Sequence, residues 1–174
     1  MTTIIIATDG SLCAERAVQV GADIAKSRNA GVVVISAIDD RPIPDSLRAI
    51  AETEHLVERA SEAHEPHLSN VPTWMMEGVH AAAQAEEQLQ LRHVIADLAI
   101  ERARTILKEA GVENFKEQIG EGDATEIILR AAKREDADMI VMGTRGIGAF
   151  KSLVYGSTSQ EVAKEAACTC VTVT

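Results

Sequence analysis

The sequence predicts an α/β domain with an open, doubly wound, mostly parallel five-stranded sheet and helices on both faces. Two observations carry this expectation. Short β-branched runs recur along the chain without clean polar alternation, as strands buried on both faces do. Stretches of helical periodicity separate them, and strand–helix alternation is the pattern of a parallel sheet with crossover helices.

The elements follow in order. Residues 3 to 8 (TIIIAT) and 31 to 38 (GVVVISAI) read as the first two strands. Between them Ala14, Ala17, Val18, Gly21, Ala22 and Ala25 recur at helical spacing, completing a βαβ unit. A long amphipathic helix runs from near Ala81 to Ala110, with Ile106 and Leu107 on its buried face, and Gly111 stops it. Val112 to Ile119 reads as the third strand. Asp123 caps the next helix, with Glu126 three residues on and Ile127, Ile128, Ala131 and Ala132 facing the core. Residues 138 to 142 (DMIVM) form a fourth strand, 157 to 167 a capped helix, and 168 to 173 a fifth strand.

With 174 residues and 46% hydrophobic side chains, the chain fits one domain with a core of Ile, Val, Leu, Ala and Met. Residues 40 to 94 read as a largely helical insertion into that domain, with Asp45 to Ala63 helical and Pro66 and Pro72 bracketing a loop. A cluster of Trp74, Met75 and Met76 packs over a sheet edge or docks a partner. All five histidines (His55, His64, His67, His80 and His93) lie in the insertion. The HEPH run at His64 and His67 has the wrong spacing for a helical zinc pair, and Pro66 breaks the helix such a pair needs, so these read as solvated histidines.

A net charge of -10 argues against nucleic acid and anionic membrane surfaces as partners. No apolar run approaches the roughly 20 residues of a spanning helix, and the first residues lack a secretory pattern, so a soluble, cytoplasmic protein is expected. Three cysteines do not make a disulfide framework. Cys168 and Cys170 alternate onto one side of a strand and, like Cys13, read as small core hydrophobes.

The segment from Met142 to Ser159 carries the chemistry. Gly143 follows a buried strand directly, where open parallel sheets bind ligands, and Gly143 with Gly146 suits a turn facing phosphate. Gly156, Ser157, Thr158 and Ser159 open the last helix, whose N–H groups and dipole favour anions, with the hydroxyls as added donors. Arg145 and Lys151 supply cations. An isolated glycine-rich loop would read as turn punctuation with Ser157 an ordinary N-cap, but the strand before it, the helix after it and the two cations favour a phosphate site. A Walker loop is rejected, because Phe150 stands where the second glycine before Lys151 and Ser152 would be.

The spacing G-x-x-G, nine residues, G-[ST] resembles the nucleotide-binding signature of the universal stress protein family. The likeness covers residues 3 to 38 and 104 to 174, including ATDGS and the stretch ending in VMGTRG. It implies ATP, with Mg²⁺, between the ends of the first, second and fourth strands. Asp9 matches the nucleotide-contacting Asp, Ala7 a position near the base, and Ala37 the main-chain adenine contact. Met142, Gly143, Arg145, Gly146, Gly156, Ser157, Thr158 and Ser159 match the phosphate and ribose segment. For Asp9, capping the helix is the competing reading; as a ligand group it would meet a ribose hydroxyl or Mg²⁺. The resemblance also implies a homodimer through the last strand, although Cys168, Thr169 and Cys170 depart from the family's usual ending.

No acid–base or nucleophile arrangement is located beside the loop, so no catalytic residue is assigned and the metal ligands stay open. The expected function is an ATP-binding regulatory module in stress response. The alternatives are an ATP-using enzyme completed by the insertion, slow hydrolysis or autophosphorylation at Ser157 or Thr158, and a nucleotide-free scaffolding dimer.

Overall fold

The computed structural model describes residues 2–40, 73–146 and 156–174, with backbone alone over 73–84. The elements are β1 (Thr3–Ala7), α1 (Leu12–Arg28), β2 (Gly31–Ile38), α2 (Thr73–Glu109), β3 (Phe115–Glu121), α3 (Ala124–Arg134), β4 (Met139–Gly143), α4 (Ser157–Glu165) and β5 (Thr169–Val173). The chain divides into two compact units, Met1–Pro42 with Ile95–Thr174, and Ile43–Val94. The expected helix at Asp45 to Ala63, the HEPH histidines, His55, the loop between the prolines and Lys151 lie outside the described residues. So do the side chains of Trp74, Met75, Met76 and His80.

All five strands are parallel, in the order β3-β2-β1-β4-β5. Alternate residues of the central strands serve two cores, as an open sheet with helices on both faces requires. On one face Ile4, Ile6, Val34 and Val141 meet Ala17, Val18 and Ala22 of α1 and Ile100, Ala103 and Leu107 of α2. On the other, Ile5, Val33, Ile35 and Ile140 meet Ile127, Ile128 and Ala131 of α3 and Val162 of α4. The doubly wound expectation is thus met.

Several boundaries differ from the sequence reading. The third strand starts at Phe115, because Val112 closes α2 instead. Its N–H donates to the Leu107 carbonyl (2.8 Å), that of Gly111 donates to the Lys108 carbonyl (2.9 Å), and Gly111 has φ +83°. This is the Schellman stop, and its hydrophobic contact is visible in Val112 and Leu107 both being buried in one core. Asn29 and Asp136, with φ 50° and 49°, end α1 and α3 with the same pair of bonds. Helix α2 begins at Thr73 rather than near Ala81. Pro72 immediately before it is tolerated at a helix start, and Gly78 lowers propensity without breaking the helix. The last helix ends at Glu165, where Ala166 turns extended.

Cys168 and Cys170 pack against the α3/α4 core as small apolar groups. Burial pushes both thiols up from their ordinary range, and each thiol lies beside charge or sulfur that pushes the same way: Asp138 for Cys168 and Cys168 for Cys170. A raised thiol pKa leaves less thiolate at neutral pH. Iodoacetamide at pH 7 should therefore label these two more slowly in the folded protein than in the guanidinium-unfolded chain, as peptide mass mapping would read. Equal rates would contradict the burial.

Among the described residues, no helix is long and apolar enough to cross a membrane. No group of three or more His, Cys, Asp or Glu among them is placed to hold a metal ion.

Candidate functional site

Strands β1 and β4 are neighbours, but the chain leaves them toward opposite faces: into α1 on one side and, further on, into α4 on the other. The strand order reverses here, and diverging connections open a crevice at the carboxyl ends. The crevice spans about 630 Å³ of space between its walls, open solvent included. All eleven residues singled out in the sequence line it.

One wall is apolar. Ala7 ends β1, Met142 lies beside it on β4, and Ala37 sits further along β2. Pairing of β1 with β2 stops at Ala7 and Ile35, after which the Thr8 N–H still donates to the Ile35 carbonyl (2.8 Å). In a strand, residues two apart direct their main-chain groups to the same side. The N–H and C=O of Ala37 therefore point to the side that β1 has vacated. Ile35, Ala124 and Ile128 complete this apolar wall. Sequence reasoning missed all three. The spacing of Ala124 and Ile128 on one face of α3, just after the Asp123 cap, was the available signal.

The β1–α1 turn forms the second wall. Asp9 is not the helix cap: Ser11 is, its side chain accepting from the Ala14 N–H (3.2 Å). Asp9 Oδ1 instead accepts from the Ser11 N–H (3.0 Å), an Asx turn that fixes the carboxylate at the cleft. Gly10, at φ +78°, lets the chain turn sharply against Ala99 of α2. Thr8 and Ala14, also unpredicted, line the cleft on either side of this turn.

The third wall runs from Gly143 to Gly146 and resumes at Gly156. The Thr144 N–H donates to the Val173 carbonyl (2.7 Å). The Thr144 carbonyl in turn accepts from the Gly156 N–H (2.6 Å) and from the Ser159 hydroxyl (3.2 Å). The two halves of the glycine pattern are thus joined directly.

The competing reading of Ser157 as an ordinary N-cap does not hold. Gly156, not Ser157, is the N-cap of α4, with no side-chain capping bond. The Ser159 hydroxyl donates to the Thr144 and Gly156 carbonyls (3.2 and 2.9 Å), which anchors the helix start. The backbone N–H groups of Ser157, Thr158 and Ser159 belong to the first turn of α4, at the positive end of the helix dipole, and the Gln160 N–H donates to the Gly156 carbonyl (3.2 Å). Arg145 lines the cleft beside them.

Gly143 and Gly146 have different neighbours. A Cβ at Gly143 would lie 2.9 Å from the carbonyl carbon of Cys13 and 3.0 Å from the Ala14 nitrogen, both backbone atoms of α1. A Cβ at Gly146 would lie 2.6 Å from Asp9 Oδ2. The first glycine admits a helix, while the second admits a carboxylate.

The sequence matches the Universal stress protein family over residues 1–174. The chain belongs to this family. A universal stress protein of Thermus aquaticus is 35% identical over 170 residues, covering 95% of this chain and 93% of that one. The Bacillus subtilis stress response protein NhaX is 32% identical over 162 residues, covering 91% and 89%. Among solved structures, universal stress protein UspA from Lactobacillus plantarum aligns with a TM-score of 0.68 at 20% identity, covering 99% of this chain and 97% of that one. A universal stress protein in complex with cAMP aligns at 0.62 and 19% identity, over 99% and 97%. One from Archaeoglobus fulgidus in complex with dAMP aligns at 0.59 and 16%, over 100% and 98%. These structures share the universal stress protein fold found here.

Proposed function

We propose that this universal stress protein binds ATP, with Mg²⁺, in the cleft between β1, β2 and β4, and acts as a regulatory module rather than an enzyme. The observation that carries the reading is the division of the cleft. At one end Ala37 offers main-chain groups among apolar walls, suited to a flat heterocycle. At the other the N-terminus of α4 offers N–H groups to phosphate, with Arg145 alongside. The relatives named with cAMP and dAMP support an adenine nucleotide. Asp9, held at the boundary, would take a ribose hydroxyl or the Mg²⁺ that accompanies the phosphates.

The reading extends to a homodimer formed through β5. Of the two edge strands, β3 carries Lys116, Glu117 and Glu121, whereas β5 is the uncharged run TCVTV. Charged edges discourage strand addition and uncharged ones permit it. The free thiols of Cys13, Cys168 and Cys170 suit the reducing cytoplasm, where we place the protein.

Mass analysis of nucleotide released from gently purified protein should yield ATP, and calorimetry with Mg-ATP should show one site per chain. Protein that carries no nucleotide and takes up no Mg-ATP would falsify the reading. Sedimentation at 18.6 kDa, the mass of one chain, would remove the dimer, and recovery of the native protein outside the cytoplasmic fraction would remove that placement.

A further inference from the structure

We propose that Ser11 is a positioning residue for the phosphate half of the cleft, acting from behind the Thr144–Gly146 turn without touching ligand. The inference rests on the nucleotide reading above. Ser11 is not among the residues that line the cleft, yet it ties three segments together. Its N–H holds Asp9 Oδ1 at 3.0 Å, its hydroxyl oxygen accepts from the Ala14 N–H at 3.2 Å, and its hydroxyl proton goes to the Arg145 carbonyl at 3.2 Å. A hydroxyl has one proton to donate and lone pairs to accept with, so capping and latching use different parts of the same group. Capping α1 needs only the acceptor. The bond to Arg145, 134 residues away, has no part in the helix.

The latch fixes an orientation. A trans peptide sets its N–H opposite its C=O, so the Arg145 carbonyl turned to Ser11 aims the Gly146 N–H the other way. The preceding peptide is pinned from the opposite side, with the Thr144 carbonyl on the Gly156 N–H and the Ser159 hydroxyl. Two successive peptides are thereby held, one from α1 and one from α4. Backbone N–H groups bind anions well when already aimed. Release of the Arg145 carbonyl frees the 145–146 peptide to rotate. The loss falls on phosphate and leaves the base end at Ala37 unaffected.

The test separates the two roles of the hydroxyl. Glycine retains most of the capping preference of serine, alanine loses it, and threonine keeps both functions. Affinities of wild type, Ser11→Gly, Ser11→Ala and Ser11→Thr for adenosine, AMP, ADP and ATP are measured by calorimetry, with melting temperatures alongside. Ser11→Gly is expected to weaken ATP by about three- to tenfold, the scale of one hydrogen bond, with a smaller loss for AMP and none for adenosine. Ser11→Thr restores ATP binding. Ser11→Ala shows the same graded loss with a lower melting temperature. Comparison across ligands is made within each variant, so an unfolded fraction lowers all affinities together and leaves the gradation readable. Equal losses across the series, unchanged ATP affinity in Ser11→Gly, or failure of Ser11→Thr to restore it would overturn the proposal while wild-type binding upholds the cleft. Absence of nucleotide binding by wild type would overturn both.

Discussion

Gly143→Ala is expected to destabilise the fold by about 1–3 kcal/mol, the range for overpacking a filled interior, and Gly143→Val by at least as much. The reason lies in α1. Gly143 ends β4, paired with Val173, and its missing side chain is what lets the first turn of α1 approach. The atoms a Cβ would meet, at 2.9 and 3.0 Å, belong to the backbone of Cys13 and Ala14 and cannot swing aside. Relief requires α1 to shift away from a core that includes Ala17, Val18 and Ala22. Urea unfolding followed by circular dichroism reads the result as a lower midpoint at unchanged slope. A wild-type midpoint in Gly143→Ala would show that α1 has slack the structure does not display. Any ligand loss in these variants would follow the loss of folded protein, so Gly143 is a poor position at which to test the cleft.

The pattern of strands was legible because β1, β2 and β4 are buried on both faces and so are written as unbroken apolar runs. The cleft was legible because its parts sit at strand ends, and the glycine spacing placed Gly143, Gly146 and Gly156 in one neighbourhood. What each residue does there depends on partners far away in sequence. The packing of Gly143 against the backbone of α1 and the bond of the Ser159 hydroxyl to the Thr144 carbonyl are not written in the glycine spacing. Asp9 looks like a cap until Ser11 proves to be one. Local rules misjudged Val112 for a related reason: a β-branched residue after a glycine reads as strand, but its N–H was already committed to Leu107. The helix stops at Asn29 and Asp136 escaped because polar residues adopt the left-handed conformation less often than glycine, so their identity alone does not announce it.

The second glycine should behave in the opposite way. In Gly146→Ala the new Cβ meets, among the described residues, Asp9 Oδ2 at 2.6 Å with Cγ behind it at 3.7 Å. The obstacle is the end of a side chain, so the carboxylate turns away and the fold survives, with stability within about 0.5 kcal/mol of wild type as for most substitutions outside the core. The displaced group can no longer keep both its bond to the Ser11 N–H and its place at the cleft. If Asp9 contacts the nucleotide, loss of one hydrogen bond to a charged group weakens Mg-ATP by about 10- to 150-fold. Asp9→Ala should show a loss of the same order. Because both changes remove one contact, the double variant should bind no more weakly than Asp9→Ala alone, a non-additivity that a double-mutant cycle measures directly. Full additivity would mean that Gly146→Ala weakens binding independently of Asp9. Undiminished binding in Gly146→Ala would place the nucleotide away from this wall. Together with Gly143 the outcome separates the two glycines of one G-x-x-G pattern, since the first should move the unfolding midpoint and the second the binding isotherm.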